Sequence, residues 1–437
     1  MKVCIIGGGA GGRSASHRIR QLDKEAQIDV FVKQSEVGYA PCELPFVLRG
    51  NSVTWDDIFY PGNFFKEKGI NVHFNTEVTD ILCQEKCIIA GGQKYSYDKA
   101  ILSLGAVPAT LPIPGLDGHN EFTLSSNIAD GRALEKVISE YSSAAVIGTG
   151  PIGIEMTQAL IARGYRVHLL VRRSISRAHL DEDMAEKLAN IFRQNGVELI
   201  LPAKIKSIAS KGGKKRVILD NQELEVDIIF LATGAKPNIE LAKKAGIKIG
   251  EVGAIAVNQY LQTSDPDIYA VGDCMENWDM ITGDKTPRLM VTTAGVTGGV
   301  AGTNLISGNS LSYRGTARTF VIDIFGNKVG TAGFTERIAR EKGMDVVSIT
   351  ATLPTTRPKY GDKSVHFKVI GERKTKTLVG AQVISKQPIG GIVGELAVII
   401  AERITLANVA QIDFPYSPLF GSDPVHGIVA RLSAKLS

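Results

Sequence analysis

The chain has 437 residues, and because domains usually contain about 100 to 200 residues, this length predicts roughly three domains. A hydrophobic fraction of 44% and a charged fraction of 22% are close to the averages of soluble globular proteins. The net charge of +5 is spread along the chain, and its one dense basic run, residues 211–216, is interpreted as a solvated hairpin turn, so no nucleic-acid partner is expected.

No targeting or membrane-spanning segment is expected. The N-terminus begins directly with strand-like residues 3–6 and a glycine loop, which leaves no room for the apolar region of a signal peptide. The most apolar late stretch, residues 390–404, contains Glu395 and Glu402 and therefore predicts a buried helix instead of a bilayer span. Five cysteines, few and odd in number, argue against a disulfide framework and favour a cytoplasmic location.

The first chemical motif is a glycine loop near the N-terminus. Residues 2–32 follow the plan strand, glycine loop, amphipathic helix and strand, and the loop places Gly7, Gly9 and Gly12 on the G-x-G-x-x-G spacing. In this context the backbone N–H groups and the positive end of the helix can hold a pyrophosphate. The segment therefore predicts a dinucleotide site.

One partner expected for that site is missing. The second strand ends at Val32 and Lys33, where an acid would normally bind a ribose hydroxyl, and Glu36 or a backbone group is the candidate substitute. A later segment, residues 270–273, ends in Gly272 and Asp273 and supplies a second, independent flavin signal. The dinucleotide is therefore expected to be FAD.

Cys42 lies about ten residues beyond this unit, where the chain of such a fold passes beside the flavin ring. If a helix begins at Cys42, its dipole lowers the pKa of the thiol, and Pro45 is tolerated in the first turn. A stable thiolate there could exchange electrons with a flavin. The alternative is a buried core cysteine, although the flanking Pro41 and Glu43 do not form an apolar run.

The next segments predict a change of domain. Residues 77–89 and 94–104 alternate polar and apolar side chains, as antiparallel strands do. The cluster of Pro108, Pro112 and Pro114 then interrupts the pattern, and we interpret it as a linker into a second domain.

The second domain begins with a repeat of the first plan, in residues 144–171. Gly148, Gly150 and Gly153 lie on the same spacing after the strand-like residues 144–147. Two copies of the plan predict two bound dinucleotides.

Arg172 and Arg173 stand at the end of the second strand of this unit, with Arg177 nearby, where an NADH enzyme commonly has an acid. Guanidinium groups can hold a 2′-phosphate through paired hydrogen bonds. The arginines therefore favour NADPH over NADH, and the alternative is a solvated basic turn.

The remaining chain predicts a return to the first domain and then a third domain. Residues 233–237 resemble an exit from the second domain, and residues 245–273 return to short strands and turns. From about Thr316, four strand-like segments (residues 320–324, 346–350, 365–369 and 378–384) are followed by two predicted helices. A separate α+β domain is the simplest interpretation.

The other cysteines and the histidines show little sign of chemistry. Cys4 is expected in the core, and Cys274 is expected to pack near the flavin ribityl chain. Cys83 and Cys87 have no further Cys or His cluster to complete a zinc site, so no metal is predicted. His426 is the histidine best placed for chemistry, but a surface turn after a proline explains it equally well.

Over essentially its whole length the chain resembles the pyridine nucleotide-disulfide oxidoreductase superfamily. The resemblance covers both glycine loops, residues 97–106 and 232–234, the Gly272-Asp273 motif and the C-terminal domain. It implies an α/β protein with two Rossmann-like domains, FAD in residues 1–114 with 245–315 and NADPH or NADH in residues 115–244, followed by a dimerisation domain in residues 316–437. The cofactor-binding residues implied are Gly7, Gly9, Ala10, Gly12, Lys33, Ser103, Gly105, Gly148, Gly150, Ile152, Gly153, Glu155, Arg172, Arg173, Gly234, Gly272 and Asp273.

Cys42 selects a branch of this superfamily. The glutathione-type enzymes have a C-x-x-x-x-C pair, whereas residues 43–47 contain no second cysteine. The likeness is closest to the single-cysteine branch of coenzyme A-disulfide reductases, NAD(P)H sulfur and persulfide reductases, and NADH oxidases and peroxidases. Peroxidase members carry a histidine where this chain has Ala10, which argues against peroxidase chemistry. The resemblance implies a homodimer in which Tyr416 of the partner subunit, and less closely Tyr360 of the partner subunit, assist Cys42.

The substrate is less clearly indicated. Lys68 and Arg18 match family positions that contact coenzyme A, but Gln21, Gly38 and Pro41 depart from the family pattern. A small disulfide, persulfide or polysulfide is the expected substrate. Two alternatives stay open: an NAD(P)H oxidase that uses dioxygen, and a flavoprotein that passes electrons to a protein partner or senses redox state.

Overall fold

The computed structural model describes residues 1–38, 41–50, 53–59, 63–109, 111–125, 127–361, 363–416 and 423–436. The strands of the described residues are β1 (Lys2–Ile6), β2 (Gln27–Phe31), β3 (Asn71–His73), β4 (Val78–Leu82), β5 (Cys87–Ala90), β6 (Gln93–Ser96), β7 (Lys99–Leu102), β8 (Ala106–Pro108), β9 (Glu121–Phe122), β10 (Ser143–Ile147), β11 (Arg166–Leu170), β12 (Glu198–Ile200), β13 (Ile205–Lys211), β14 (Lys214–Leu219), β15 (Glu223–Val226), β16 (Ile228–Leu231), β17 (Ala235–Pro237), β18 (Ile268–Ala270), β19 (Asn277–Trp278), β20 (Lys285–Thr286), β21 (Phe320–Ile324), β22 (Asn327–Gly333), β23 (Val346–Pro354), β24 (Ser364–Glu372) and β25 (Leu378–Ser385).

The α-helices of the described residues are α1 (Ala10–Leu22), α2 (Leu44–Leu48), α3 (Ile128–Ile138), α4 (Pro151–Ala162), α5 (Glu182–Gln194), α6 (Glu240–Lys244), α7 (Val291–Ser307), α8 (Glu336–Glu341), α9 (Gly390–Ala401), α10 (Leu406–Val409) and α11 (Pro424–Leu436). In the same part of the chain, none of these helices combines the length and the apolar character that crossing a bilayer requires.

The first parallel sheet has the strand order β18-β7-β1-β2-β3. Four of the five residues of β1 are buried, as expected for a strand that is covered on both faces. Helices α1 and α7 pack closely against each other on this sheet. A Cβ atom on Gly298 of α7 would overlap the carbonyl oxygen of Gly11 in α1, so glycine at this position permits the close approach.

Part of the region predicted as antiparallel belongs to this parallel sheet. Strands β4, β5 and β6 do form an antiparallel sheet, but β7 pairs in parallel with β1 and β18. Ala100, Ile101 and Leu102 are completely buried, so this stretch is a continuous apolar strand with both faces covered. The antiparallel prediction is therefore wrong for β7.

The second parallel sheet has the order β12-β11-β10-β16-β9, and all five residues of its central strand β10 are buried. Strands β13, β14 and β15 form an antiparallel sheet beside it. The basic run lies in the β13–β14 hairpin, where Lys211 pairs with Lys214 across the turn, as predicted. The prediction that the run is solvated is wrong for Lys215, which is buried and whose ammonium group lies 2.8 Å from the Glu121 carboxylate.

The chain crosses between the two parallel sheets at a short antiparallel pair, β8 with β17. The backbone N–H of Ala109 donates to the carbonyl oxygen of Gly234, and the Thr233 hydroxyl donates to the carbonyl oxygen of Ala109 at 2.7 Å. The two connecting segments are thus held together side by side.

The third sheet is antiparallel, with the order β21-β22-β25-β24-β23, and α9 and α11 pack on it. The four predicted strands are present, and the apolar stretch after residue 390 forms α9, with Leu396 and Ile400 buried. The sequence reading missed β22, because Gly330 interrupts its pattern. A Cβ atom on Gly330 would collide with Val393 and Ile389, so glycine lets α9 lie directly on the strand. The sequence analysis also does not predict the short helix α10. The predicted α/β fold class is confirmed.

Candidate functional site

The first glycine loop connects β1 to α1, which begins at Ala10. Gly7 has a φ of 104°, and a side chain on it would overlap the carbonyl oxygen of Ser103. A Cβ atom on Gly12 would overlap the carbonyl oxygen of Gly7, and the N–H of Gly12 donates to the Ser103 hydroxyl at 2.9 Å. Gly9, in contrast, has open space around its Cβ direction at the helix N-terminus. The loop fits a pyrophosphate at Gly9.

A buried carboxylate lies beside this loop. Asp273 is in a short 3-10 turn after β18, with Gly272 bound through its N–H to the Thr297 hydroxyl at 3.0 Å. The Oδ1 atom of Asp273 is buried and has no hydrogen-bond partner among the described residues. Burial raises the pKa of Asp273 to about 6. An unpartnered carboxylate oxygen here fits a hydroxyl donor of a flavin nucleotide.

The end of β2 is the position where the acid expected to bind a ribose hydroxyl is missing. Val32 is buried, while Lys33 is exposed and its ammonium group forms an ion pair with Glu77 at 2.8 Å. Glu77 comes from the segment between β3 and β4, so a carboxylate reaches this place from elsewhere in the chain. Sequence reasoning missed Glu77 because no local motif marks it.

The second glycine loop, between β10 and α4, repeats the geometry of the first. Side chains on Gly148 or Gly153 would overlap the carbonyl oxygens of Ala232 and Gly148, respectively, while Gly150 has open space. Ile152 is half-buried in the first turn of α4. This loop also fits a pyrophosphate, at Gly150.

Two further predicted glycines lie where the chain crosses between the sheets. The carbonyl oxygen of Gly105 accepts from the N–H of Asn238, and that of Gly234 accepts from the N–H of Ala109. Both glycines therefore occupy backbone junctions between the two glycine-loop regions.

Arg172 and Arg173 follow β11 and are exposed. Within the part of the chain that the structure describes, neither guanidinium forms an ion pair. They stand free at the end of β11, where the adenosine end of a nucleotide held by the second loop would be expected.

Cys42 lies in a 3-10 turn, Pro41–Glu43, directly before α2, and Pro45 is in the first turn of α2. The condition that an α-helix begins at Cys42 is thus not met, because α2 begins at Leu44. The residue is exposed, yet desolvation by nearby protein atoms, followed by the charges of Glu43 and Glu155, raises the pKa of its thiol. The expected lowering of this pKa by a helix dipole is not found, because desolvation and then the two carboxylates raise the pKa and α2 has only five residues.

Glu155 comes from α4, the helix of the second glycine loop, and is placed near Cys42 by the packing of α2 on α4. The Arg163 side chain of the α4 C-terminus donates to the carbonyl oxygen of Leu48 in α2 at 2.7 Å. Burial raises the pKa of Glu155 to about 7, and the charge of Arg49 opposes this shift. Sequence reasoning had assigned Glu155 to the cofactor alone.

The predicted substrate residues lie near one cleft. Lys68 lines it with His17 and Gln21, and its ammonium group lies 4.8 Å from the centre of the Phe64 ring. Arg18 donates to the Thr303 hydroxyl at 2.9 Å, in α7, and reaches the cleft through Gln21. The cleft is lined by three cationic side chains, Arg20, Lys24 and Lys68, and by one carboxylate, Glu67, so the excess of positive charge suits an anionic ligand.

The two predicted tyrosines are on the surface of the C-terminal domain. Tyr416 is 54% exposed and Tyr360 is 40% exposed. The guanidinium of Arg357 lies 5.6 Å from the centre of the Tyr416 ring. Residues 417–422, which follow Tyr416, lie outside the described residues.

The remaining candidates have structural surroundings. All five cysteines are free, with Cys4 and Cys274 buried, as predicted. His426 is not in a surface turn: it is half-buried in α11, donates from Nε2 to the carbonyl oxygen of Ala410 at 3.2 Å and lies against the Phe414 ring. No cluster of three or more His, Cys, Asp or Glu side chains suited to a metal occurs among the described residues.

The chain also resembles known proteins over most of its length. The family described as pyridine nucleotide-disulphide oxidoreductase matches residues 1–299, and its dimerisation domain matches residues 322–426. An NADH oxidase of Methanocaldococcus jannaschii is 35% identical over 430 residues, covering 96% of this chain and 95% of the relative.

Two further relatives are named for sulfur substrates. An NAD(P)H coenzyme A polysulfide/persulfide reductase of Pyrococcus horikoshii is 33% identical over 427 residues, covering 96% of this chain and 95% of the relative. The solved structure of an NAD-dependent persulfide reductase from A. fulgidus has a TM-score of 0.94 and 32% identity, and the match covers 100% of this chain and 83% of that one.

Proposed function

The chain belongs to the pyridine nucleotide-disulphide oxidoreductase family, and on this premise we propose that it reduces a small disulfide, persulfide or polysulfide through Cys42. Enzymes of this family use FAD and NAD(P)H, and the two glycine loops fit these dinucleotides. FAD is assigned to Gly7, Gly9 and Gly12 with Asp273.

One observation carries the proposal: the exposed Cys42 thiol lies at the junction of the two dinucleotide units. Its segment packs on the helix of the second loop, and Glu155 of that helix affects its pKa. No second cysteine occurs in residues 43–47. The substrate sulfur must therefore react with a single protein thiol.

The chemistry of Cys42 follows from thiol exchange. Its thiolate attacks one sulfur of the substrate, the S–S bond breaks, and the other sulfur leaves as a thiol or hydrosulfide. FAD, when bound, supplies two electrons that originate from NAD(P)H. These electrons break the new S–S bond on Cys42, which releases the second thiol and restores the Cys42 thiolate.

NADPH is the proposed preferred donor. The free, exposed Arg172 and Arg173 could bind a 2′-phosphate, which NADH lacks. Lys33 is retained as a residue near the FAD ribose, together with Glu77.

We further propose a homodimer in the cytoplasm. The matched dimerisation domain, and exposed apolar side chains such as Val398 and Ile412, support association of two copies. Tyr416 of the partner subunit and Tyr360 of the partner subunit would then assist at Cys42. Five free thiols are consistent with a reducing compartment.

The substrate of this proposal carries a negatively charged group. The cleft that Lys68 lines supports this, and one relative is named an NAD(P)H coenzyme A polysulfide/persulfide reductase. The direct test is a turnover panel of coenzyme A disulfide, glutathione disulfide, polysulfide and dioxygen with each nicotinamide. Rapid consumption of a sulfur substrate supports the proposal, whereas turnover with none of them contradicts it.

A second candidate is an NAD(P)H oxidase. It is favoured by the relative named NADH oxidase and by the exposure of Cys42 to solvent. Dioxygen would then accept the electrons, with Cys42 passing through a sulfenic acid. Oxygen uptake that exceeds disulfide consumption in the same preparation would select this function.

A further inference from the structure

The segment that carries the free arginines is held by other parts of the molecule. We name residues 172–181, between β11 and α5, the arginine loop. Arg172 and Arg173 themselves are exposed, so the position of their guanidinium groups depends on how the backbone of this loop is supported.

The middle of the arginine loop is tied to the second glycine loop. Ser176 has a left-handed backbone with a φ of 50°, and its N–H donates to the Thr149 hydroxyl at 3.2 Å. The Ser176 hydroxyl lies 3.2 Å from Nδ1 of His179. Thr149 stands between Gly148 and Gly150, so the arginine loop and the pyrophosphate loop are directly bonded.

The C-terminal domain provides the other side of the support. The His179 ring stacks on Phe320 of β21, with ring centres 4.6 Å apart. Burial, followed by the charges of Arg288 and Arg318, lowers the pKa of His179 to about 4, so the stacked ring is neutral near pH 7. Arg337 of α8 donates through Nη2 to the carbonyl oxygen of Arg177 at 3.0 Å.

The end of the arginine loop is fixed by buried hydrogen bonds to the same domain. The N–H of Asp181 donates to the Gln382 side chain at 2.8 Å, and the Gln382 amide donates back to the Asp181 carboxylate at 2.6 Å. The N–H of Glu336, at the start of α8, also donates to that carboxylate at 2.9 Å. Because both side chains of the pair are buried, losing one partner would leave the other unsatisfied.

A buried lysine completes this junction. Lys368 of β24 is only 7% exposed. Its ammonium group lies 3.1 Å from Asp183, 3.3 Å from Glu336 and 3.5 Å from Asp181. Charges that are desolvated together keep their partners in a defined geometry, since separating them leaves an uncompensated buried charge.

We propose that the C-terminal domain sets the nicotinamide preference by positioning the arginine loop, with Arg337 as the positioning residue. The Arg337 side chain donates to the loop at the carbonyl oxygen of Arg177, and the backbone N–H of Arg337, which an alanine would keep, donates to the Asp181 carboxylate at 3.3 Å. Arg337 affects the contact with the 2′-phosphate through the position of Arg172 and Arg173. It does not affect binding of the part of the nucleotide that NADPH and NADH share. The inference rests on the proposed binding of the 2′-phosphate by these two arginines.

The test is a comparison of Arg337→Ala, Arg172→Ala/Arg173→Ala, and the triple variant, as FAD-loaded full chains. Arg337→Ala is expected to raise KM for NADPH about five- to tenfold, with kcat and the KM for NADH within twofold of wild type. In the triple variant, Arg337→Ala should add no further change in KM for NADPH, because its effect passes through the two arginines. The matched control is Arg373→Ala, which removes an exposed ion pair with Asp345 in the same domain.

The possible results separate the two claims. If Arg172→Ala/Arg173→Ala leaves the NADPH-to-NADH ratio unchanged, the proposed 2′-phosphate site is wrong. If that variant changes the ratio but Arg337→Ala does not, or if Arg337→Ala raises both KM values equally, the positioning role is wrong. Arg337→Gln, which retains the side-chain stem, provides the same comparison should Arg337→Ala lower the melting temperature below the assay range.

Discussion

The Cys42 thiol and the Glu155 carboxylate interact although they belong to different glycine-loop units: desolvation is the largest cause that raises the pKa of the thiol, followed by the charges of Glu43 and Glu155. Glu155 is itself half-buried, and desolvation raises its pKa to about 7. The packing of α2 on α4 thus couples the protonation of the thiol to a helix of the second glycine-loop unit. This relationship leads to two predictions that the sequence alone could not provide.

The first prediction concerns how the ionisation of the Cys42 thiol depends on pH. Glu155→Gln removes a negative charge near the sulfur, so the pKa of Cys42 should fall and its thiolate should persist to lower pH. The rate of alkylation of Cys42 by iodoacetamide, measured against pH, should show its half-maximum at lower pH than in wild type. Glu135→Gln, an exposed change on α3, should leave the profile unchanged. An unchanged or upward-shifted profile for Glu155→Gln would disprove the coupling.

The second prediction concerns how the stability of the folded protein depends on pH. The pKa of Glu155 is raised from 4.5 to about 7, so the folded state holds a proton that the unfolded state releases between these values. Stability is therefore lost as the pH rises through this window, by at most about 3 kcal/mol. Glu155→Gln should match wild type in melting temperature at pH 4.5 and exceed it at pH 8. Equal melting temperatures at pH 8 would show that the carboxylate is not desolvated.

Some substitutions in the glycine loops are expected to weaken dinucleotide binding without disturbing the fold. A methyl group on Gly9 or Gly150 meets no protein atom within 4 Å, so Gly9→Ala and Gly150→Ala should fold normally. Gly9→Ala should purify with little FAD, because its Cβ occupies the space left for the pyrophosphate. Gly150→Ala should retain FAD but show a raised KM for both nicotinamides. Full FAD content in Gly9→Ala, judged by the absorbance ratio of flavin to protein, would refute the assignment.

Tyr416 offers a test of the dimeric site. If Tyr416 of the partner subunit completes the site at Cys42, a heterodimer of a Cys42→Ser chain with a Tyr416→Phe chain contains one fully intact site. Purified with two different affinity tags, it should recover about half of the wild-type disulfide turnover per dimer. A Tyr416 that acts within its own subunit would leave that heterodimer at no more than half the activity of the Tyr416→Phe homodimer.

The sequence predicted what depends on local patterns. The glycine loops, the fold class and the place of Arg172 and Arg173 at the end of a strand follow from short motifs between a strand and a helix. The sequence did not predict contacts between distant segments. These contacts are the Lys33–Glu77 ion pair, the interaction of Glu155 with Cys42, and the pairing of Asp181 with Gln382. These depend on packing that no local spacing encodes.

The expectation that a helix dipole lowers the pKa of the Cys42 thiol fails for a related reason. Dipole arguments assume a helix of several turns, whereas α2 has five residues. The charges that reach the sulfur come from Glu43 and from a different unit of the fold. A sequence reading can identify the reactive residue type but cannot supply the electrostatic field around it.

The central claim is that electrons from NAD(P)H reach a small sulfur substrate through Cys42. The most direct measurement compares wild type with Cys42→Ser, with Cys83→Ser as control, by following disulfide reduction, oxygen uptake and NAD(P)H-dependent reduction of an artificial quinone acceptor. Cys42→Ser should lose at least about a thousandfold in disulfide turnover while retaining quinone reduction. Disulfide turnover that persists in Cys42→Ser at the wild-type rate would contradict the account.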